Sequence, residues 1–211
     1  MQMISGLDLK RKDYFIEKLF FLLPISIILG NFALNIISVL IALVTLLIFV
    51  EKKIVFKYKN FYIFGVLFII FLIVNIINSQ ILNLSIKNSL GILKYFIMFM
   101  GLVYCLDNIK NFKKKFSFFI LICTAFVIID SSIQFIFGRD IFNYEIINNR
   151  LTGPFGTEKV VGSFISKMFF LSLIFFYEEK SSKFLIFIFF FFSILLTFLS
   201  QERSASIMLF L

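Results

Sequence analysis

The sequence predicts an all-α fold: a polytopic transmembrane helix bundle of about seven spans plus the start of an eighth. Three observations predict it. Hydrophobic residues make up 61% of the 211 positions and charged residues only 16%, against roughly 45–50% and 25% in a water-soluble domain. The apolar residues come in long blocks and not in the alternating ten-residue segments of a membrane β-barrel. The basic residues concentrate in alternate loops, as positive-inside topology requires.

The blocks run approximately over 15–31, 33–50, 61–78, 89–106, 116–137, 161–177 and 184–201. A helix needs about 20 residues to cross a hydrocarbon core of about 30 Å, so each block accommodates one span. The apolar stretch 19–50 is too long for a single span, and Gly30, Asn31 and Asn35 interrupt it where a tight helical hairpin turns. The N-terminus is no cleavable signal, because 8–18 is highly charged and no small-residue cleavage site follows the first apolar run. At the far end Ser204–Leu211 turns apolar again for eight residues, about 12 Å of helix. The chain therefore reads as the front part of a longer protein or as a C-terminally truncated reading frame.

A net charge of +9 would point to nucleic acid in a soluble protein. Position assigns it to the membrane instead. Lys10, Arg11, Lys12 and Lys18 precede the first span; Lys52, Lys53, Lys57 and Lys59 follow the second. Lys110, Lys113, Lys114 and Lys115 follow the fourth, and Lys180 and Lys183 the sixth. That bias places the N-terminus inside and the 138–160 loop outside. No nucleic acid partner is expected; membrane lipid is.

Several residue types carry little. The 34 phenylalanines without a single tryptophan reflect compositional bias, so no individual Phe reads as functional. Histidine is absent, which excludes a histidine base or metal ligand within these residues. Cys105 and Cys123 fall in apolar runs without CxxC spacing and read as packing residues.

The charges outside the topological loops are more informative. Lys94 and Lys167 each lie about a turn and a half inside a span from its outer end, and Asp130 about two turns inside. A charge within a span costs about 2.5–3.5 kcal/mol on insertion scales. Either the lysines snorkel to the headgroups with Asp130 paired to one of them, or all three line an outward-facing polar cavity. Near them, the stretch 148–164 holds Gly153, Pro154 and Gly156 and feeds directly into a helix. Glycine lets backbone approach a ligand and proline fixes the turn. A helix N-terminus after such a loop suits an anion, and Arg150 adds a planar fork that matches phosphate oxygens.

Arg150-Leu151-Thr152-Gly153-Pro154-Phe155-Gly156, followed by Gly162, resembles the Arg-x-x-Gly-x-Phe segment of the O-antigen ligase and O-antigen polymerase family. Ser200-Gln201-Glu202-Arg203-Ser204-Ala205 is similar to that family's Thr/Ser-Gly-x-Arg-Ser/Gly-Ala motif, and Leu23-Pro24-Ile25-Ser26 through Gly30-Asn31 to its first hairpin. The spacing of the two arginine motifs also fits. The resemblance covers the chain as the family's N-terminal half to two-thirds. Gln201-Glu202 departs from the pattern and gives Arg203 an acidic neighbour.

The resemblance implies a multi-pass protein of the bacterial inner membrane, with a cytoplasmic N-terminus and a periplasmic 138–160 loop. It implies a metal-independent glycosyltransferase that needs no cofactor. The donor would be a polysaccharide on undecaprenyl pyrophosphate. The acceptor would be the lipid A core in a ligase and another glycan repeat in a polymerase. Arg150 and Arg203, aided by Lys94 and Lys167, would hold the donor pyrophosphate, since fixed cations stabilise charge developing on a leaving oxygen. Gly153, Pro154 and Gly156 would shape the loop. The catalytic group stays unassigned: the ligases use a histidine from a later periplasmic loop, and this chain has none. A non-catalytic flippase or transporter for a lipid-linked glycan is the competing class. It should carry charges deep in several spans, whereas the charges here gather near the outer face.

Overall fold

A computed structural model describes residues 2–52, 59–179 and 182–210, and among them the regular structure is helical. The eight α-helices are α1 (Gln2–Ile28), α2 (Asn31–Lys52), α3 (Lys59–Ile77), α4 (Leu82–Asn108), α5 (Phe112–Phe137), α6 (Val161–Glu179), α7 (Lys183–Leu199) and α8 (Arg203–Phe210). Four stretches are long and apolar enough to cross a membrane: Asn31–Glu51, Leu82–Asn108, Phe112–Phe137 and Val161–Glu179. They mark a membrane protein. About seven spans were expected. The remaining helices fall short because α1 carries a dense run of charges over Asp8–Lys18, while α3 and α7 offer shorter apolar stretches, Ile63–Ile77 and Lys183–Leu199.

The helices extend beyond the apolar blocks, with α1 reaching back to Gln2 and α4 to Leu82. Apolarity marks what faces lipid, but helical hydrogen bonding continues into polar residues such as Asn83, Ser85 and Lys87. Gly30 (φ +99°) turns the chain between α1 and α2, a left-handed conformation glycine adopts without a Cβ clash. Gly138 (φ +78°) ends α5 in the same way, donating its N–H to the Gln134 carbonyl at 2.9 Å. Large apolar side chains such as Phe32, Val50 and Phe184 are strongly exposed, as suits surfaces that face acyl chains.

The chain divides into two compact units. Residues 1–20 and 35–109 form the first, and 21–34 and 110–211 the second. In the first, Lys12 pairs with Glu51, and the Tyr104 hydroxyl donates to Asp13 Oδ1 at 2.7 Å. The middle of α1, at Lys12 and Asp13, therefore lies beside the ends of α2 and α4. In the second, Lys113 pairs with Glu178 at 2.8 Å and Lys114 with Glu179, so α5 and α6 run antiparallel. Their contact is filled by Val127, Val161, Phe164, Ile165 and Phe169, with Phe189 and Leu196 of α7 closing the core. Cys105 and Cys123 are buried free thiols. Of the basic loop residues, Lys53, Lys57 and Lys180 lie outside the described residues, as do the side chains of Lys10, Arg11, Lys52 and Lys59.

Candidate functional site

The 138–160 connection is an ordered structure built around one side chain. Gln134, fully buried near the end of α5, accepts the N–H groups of Thr152 and Gly153, both at 2.9 Å. Its amide donates to the Tyr144 carbonyl at 3.1 Å and to Thr152 Oγ1 at 2.9 Å. Each amide atom thus ties the loop to the helix twice. Asp130, a turn earlier, accepts the Ile141 N–H at 3.0 Å, and Asp140 accepts the Tyr144 N–H at 2.6 Å. Asp130 is completely buried, and its bonded partner is a backbone amide. Of the two alternatives for Asp130, neither a lysine pair nor a place in a cavity shared with Lys94 and Lys167 is seen: the buried carboxylate anchors the loop through Ile141.

Within this frame Asn148 (φ 51°) and Asn149 (φ 59°) form a tight turn, closed by reciprocal backbone bonds between Ile147 and Arg150 at 3.2 and 3.0 Å. Asparagine tolerates these left-handed angles, as a two-residue hairpin turn demands. The Arg150 side chain is exposed and forms no ion pair among the described residues. Leu151 and Thr152 then bury, and Gly153–Phe155 makes one 3-10 turn with Pro154 inside it. Gly153 has φ +51°, and a Cβ there would lie 2.6 Å from Ser131 Oγ and 3.1 Å from Val161 Cγ2. Glycine is therefore required both by angle and by space. Gly156 also has positive φ, +68°.

The start of α6 changes one expectation. The sequence alone leaves its first amides open to an external anion. The Glu202 carboxylate takes them: Gly162 N donates to Oε1 at 2.8 Å and Ser163 N to Oε2 at 2.9 Å. The first turn of α6 already has its negative charge, as the helix dipole favours. A Cβ on Gly162 would lie 2.3 Å from Ser200 Oγ and 3.3 Å from Ala205 Cβ, so α6 begins in contact with the α7–α8 turn. Arg203 opens α8 directly after Glu202, exposed and without an ion pair among the described residues. Glu202, beside which Arg203 sits, is thus the capping group of α6.

A cavity of about 340 Å³ opens beside α6 within the second unit. Ser163, Phe164 and Lys167 of α6 line one wall, Phe155 and Glu158 come from the loop, and Asn31 comes from the start of α2. With Met168, the α6 lining positions follow i, i+1, i+4 and i+5, one helical face. Lys167 is exposed and unpaired among the described residues, and Asn31 Nδ2 donates to Glu158 Oε1 at 3.4 Å. Arg150 and Arg203 are not among the lining residues. Lys94 belongs to the first unit, where its ammonium donates to Asn35 Oδ1 and sits 4.8 Å from the Tyr95 ring centroid.

Three side chains that build the loop, the helix cap and the cavity escaped the sequence reading. Gln134 had a signal, a lone amide in an apolar run one turn from Asp130. Glu202 had one as well, as the departure from the arginine motif. Glu158 had none beyond its place after the Gly-Pro-Phe-Gly turn. No protein-family model matches the chain, nor does any curated protein or solved structure.

Proposed function

We propose that the chain is the transmembrane core of a bacterial inner-membrane glycosyltransferase that moves glycan from undecaprenyl pyrophosphate to an acceptor sugar. In a ligase that acceptor is the lipid A core; in a polymerase it is another repeat unit. The chain crosses the membrane about seven times, with a cytoplasmic N-terminus and a periplasmic 138–160 loop. The basic loop residues Lys113 and Lys114 support placing their end of the second unit on the cytoplasmic side.

One observation carries the reading: three exposed cations without an ion pair among the described residues belong to a single end of the second unit. Gln134 ties the loop of Arg150 to the end of α5, and Glu202 ties the turn before Arg203 to the start of α6. Lys167 lies a turn farther along α6, at the cavity. Such a set suits a pyrophosphate leaving group, which develops charge as the anomeric C–O bond breaks. Arg150 and Arg203 present planar donor forks, which lysine cannot reproduce.

Complementation of a strain lacking its own ligase or polymerase tests this, with protein level checked by blot. Arg150→Lys and Arg203→Lys should each lose about 100- to 1,000-fold in product at normal abundance. Lys159→Ala, in the same loop but outside the cation set, should retain it. Near-normal product from both arginine variants would tell against arginine-held pyrophosphate and return the transporter reading to the front. Which host is rescued distinguishes ligase from polymerase.

A further inference from the structure

Hydroxyls on the helices of the second unit return to their own backbone. Thr124 and Ser132 of α5 donate to the carbonyls of Ile120 and Ile128 at 2.8 and 2.7 Å, and Ser193 and Thr197 of α7 donate four residues back in the same way. Ser131, fully buried beside Ser132, makes no such bond. One oxygen of each nearby acid shares that state: Asp130 Oδ2 and Asp140 Oδ2 are buried without a hydrogen-bond partner among the described residues. Asp130 and Ser131 are completely buried and Asp140 is 6% exposed. A buried carboxylate oxygen left unmet is among the costliest groups a fold can hold.

These oxygens gather where the loop meets α5. A Cβ on Gly153 would lie 2.6 Å from Ser131 Oγ and 3.7 Å from Asp130 Oδ2, so both border the space that glycine leaves open. Asp140 is brought in by the peptide that follows it. The Ile141 N–H donates to Asp130 Oδ1 at 3.0 Å, and the two carboxylates are close enough for their charges to act on each other. Both acids divide their oxygens alike: Oδ1 holds a loop amide, of Ile141 or of Tyr144, and Oδ2 is left over. Among the described residues no lysine or arginine pairs with either acid. Arg139, next in sequence to Asp140, turns to Glu145 at 2.6 Å instead.

We propose that Asp130, Asp140 and Ser131 bind one calcium ion that fastens the loop to α5. The inference goes beyond the transferase reading and does not depend on it. Two carboxylates and a hydroxyl make an all-oxygen donor set, which suits a hard cation and lacks the nitrogen and sulfur ligands that zinc and copper favour. Calcium takes about 6–8 oxygens at roughly 2.3–2.6 Å in flexible geometry, so three side-chain oxygens leave places for backbone carbonyls and water. Magnesium demands a near-ideal octahedron and gives up its water reluctantly, which a buried site disfavours. The charge of the ion balances both carboxylates. Each acid binds through Oδ2 while Oδ1 keeps its amide. The stretch from Asp140 to Gly153, which carries Arg150, is thereby locked onto the helix, and the ion takes no part in bond breaking.

The test uses the full chain in phosphatidylcholine nanodiscs, stripped with EGTA and titrated with calcium chloride. Leu151 and Thr152 are buried, so trypsin reaches the bond after Arg150 only when the loop leaves the helix. At a calcium concentration of about a hundred times Kd the open population falls about 100-fold, and cleavage after Arg150 should slow by roughly 10- to 100-fold. Calorimetric titration should count a single calcium per chain, and magnesium at the same concentration should protect far less. Asp130→Asn and Asp140→Asn keep an oxygen for the loop amides but remove the charge, and each should lose the calcium response. Ser131→Ala leaves both carboxylates in place and should shift the titration to higher calcium. If the acid variants do not fold, an unchanged titration in Ser131→Ala would overturn the site. Wild-type cleavage that ignores calcium up to about 10 mM, beyond the range of weak extracellular calcium modules, would overturn it and leave the carboxyls to protons or water. Protection that persists in the Asp130→Asn, Asp140→Asn double variant would overturn it by placing the ion elsewhere. Equal protection by magnesium would overturn the choice of ion.

Discussion

Removing the Glu202 carboxylate should loosen the start of α6 by a calculable amount. Gly162 N and Ser163 N donate to its two oxygens at 2.8 and 2.9 Å. A hydrogen bond to a charged group contributes about 1.5–3 kcal/mol, and a negative charge in a first helical turn adds about 0.3–1 kcal/mol. Glu202 is only partly buried, so the lower ends apply. Glu202→Ala, which leaves both amides without an acceptor, should cost about 3 kcal/mol. Glu202→Gln keeps one acceptor oxygen and should cost about half of that. Hydrogen–deuterium exchange in nanodiscs reads the effect locally. The amides of Gly162 and Ser163 should exchange about ten-fold faster in the Gln variant and about a hundred-fold faster in the Ala variant. Amides in the middle of α5 should be unaffected in both. Wild-type exchange at Gly162 and Ser163 in both variants would refute the carboxylate cap and reopen this helix end to an external anion.

Gly162→Ala should destabilise the protein by about 1–3 kcal/mol, because the new methyl meets Ser200 Oγ; Gly162→Ala with Ser200→Gly should recover most of the loss in a detergent unfolding titration. Failure of that rescue would mean the clash lies elsewhere. Gln134→Leu should leave the amides of Thr152 and Gly153 and the Tyr144 carbonyl without this partner, at about 1–3 kcal/mol for each group left unsatisfied. Limited proteolysis should then cut the 138–160 loop well before the wild type is cleaved, and equal resistance would remove Gln134 as its anchor.

The helical architecture was legible because apolar blocks are long and lipid leaves the backbone few alternatives. The hairpin at Gly30 could be read from polar interruptions in one overlong block. Helix ends were less legible: Asn83, Ser85 and Lys87 continue α4 without adding apolarity, so the block began too late. The span count was hard to settle for a related reason. α1 mixes its charges with its apolar half, so periodicity and length give different answers there. At the site, Gly153 and Gly156 could be read from residue type because their backbone demands are local. Asp130 could not, since its partner Ile141 is fixed by the path of a loop. Glu202 is the sharpest case. Its role needs Gly162 and Ser163, some 40 positions away, and only tertiary packing brings them together.

Ser163 links two parts of the second unit. Its amide is clamped by Glu202, and the same residue borders the cavity that holds Glu158 and Lys167. Arg203 follows Glu202 by one peptide, about 3.8 Å between α-carbons. α8 and the opening turn of α6 are therefore geared together. A tilt of α8 that moved Glu202 along with Arg203 would bear on Ser163 and so on the rim of the cavity. Any load placed on Arg203 would therefore reach the cavity wall through the Glu202 carboxylate.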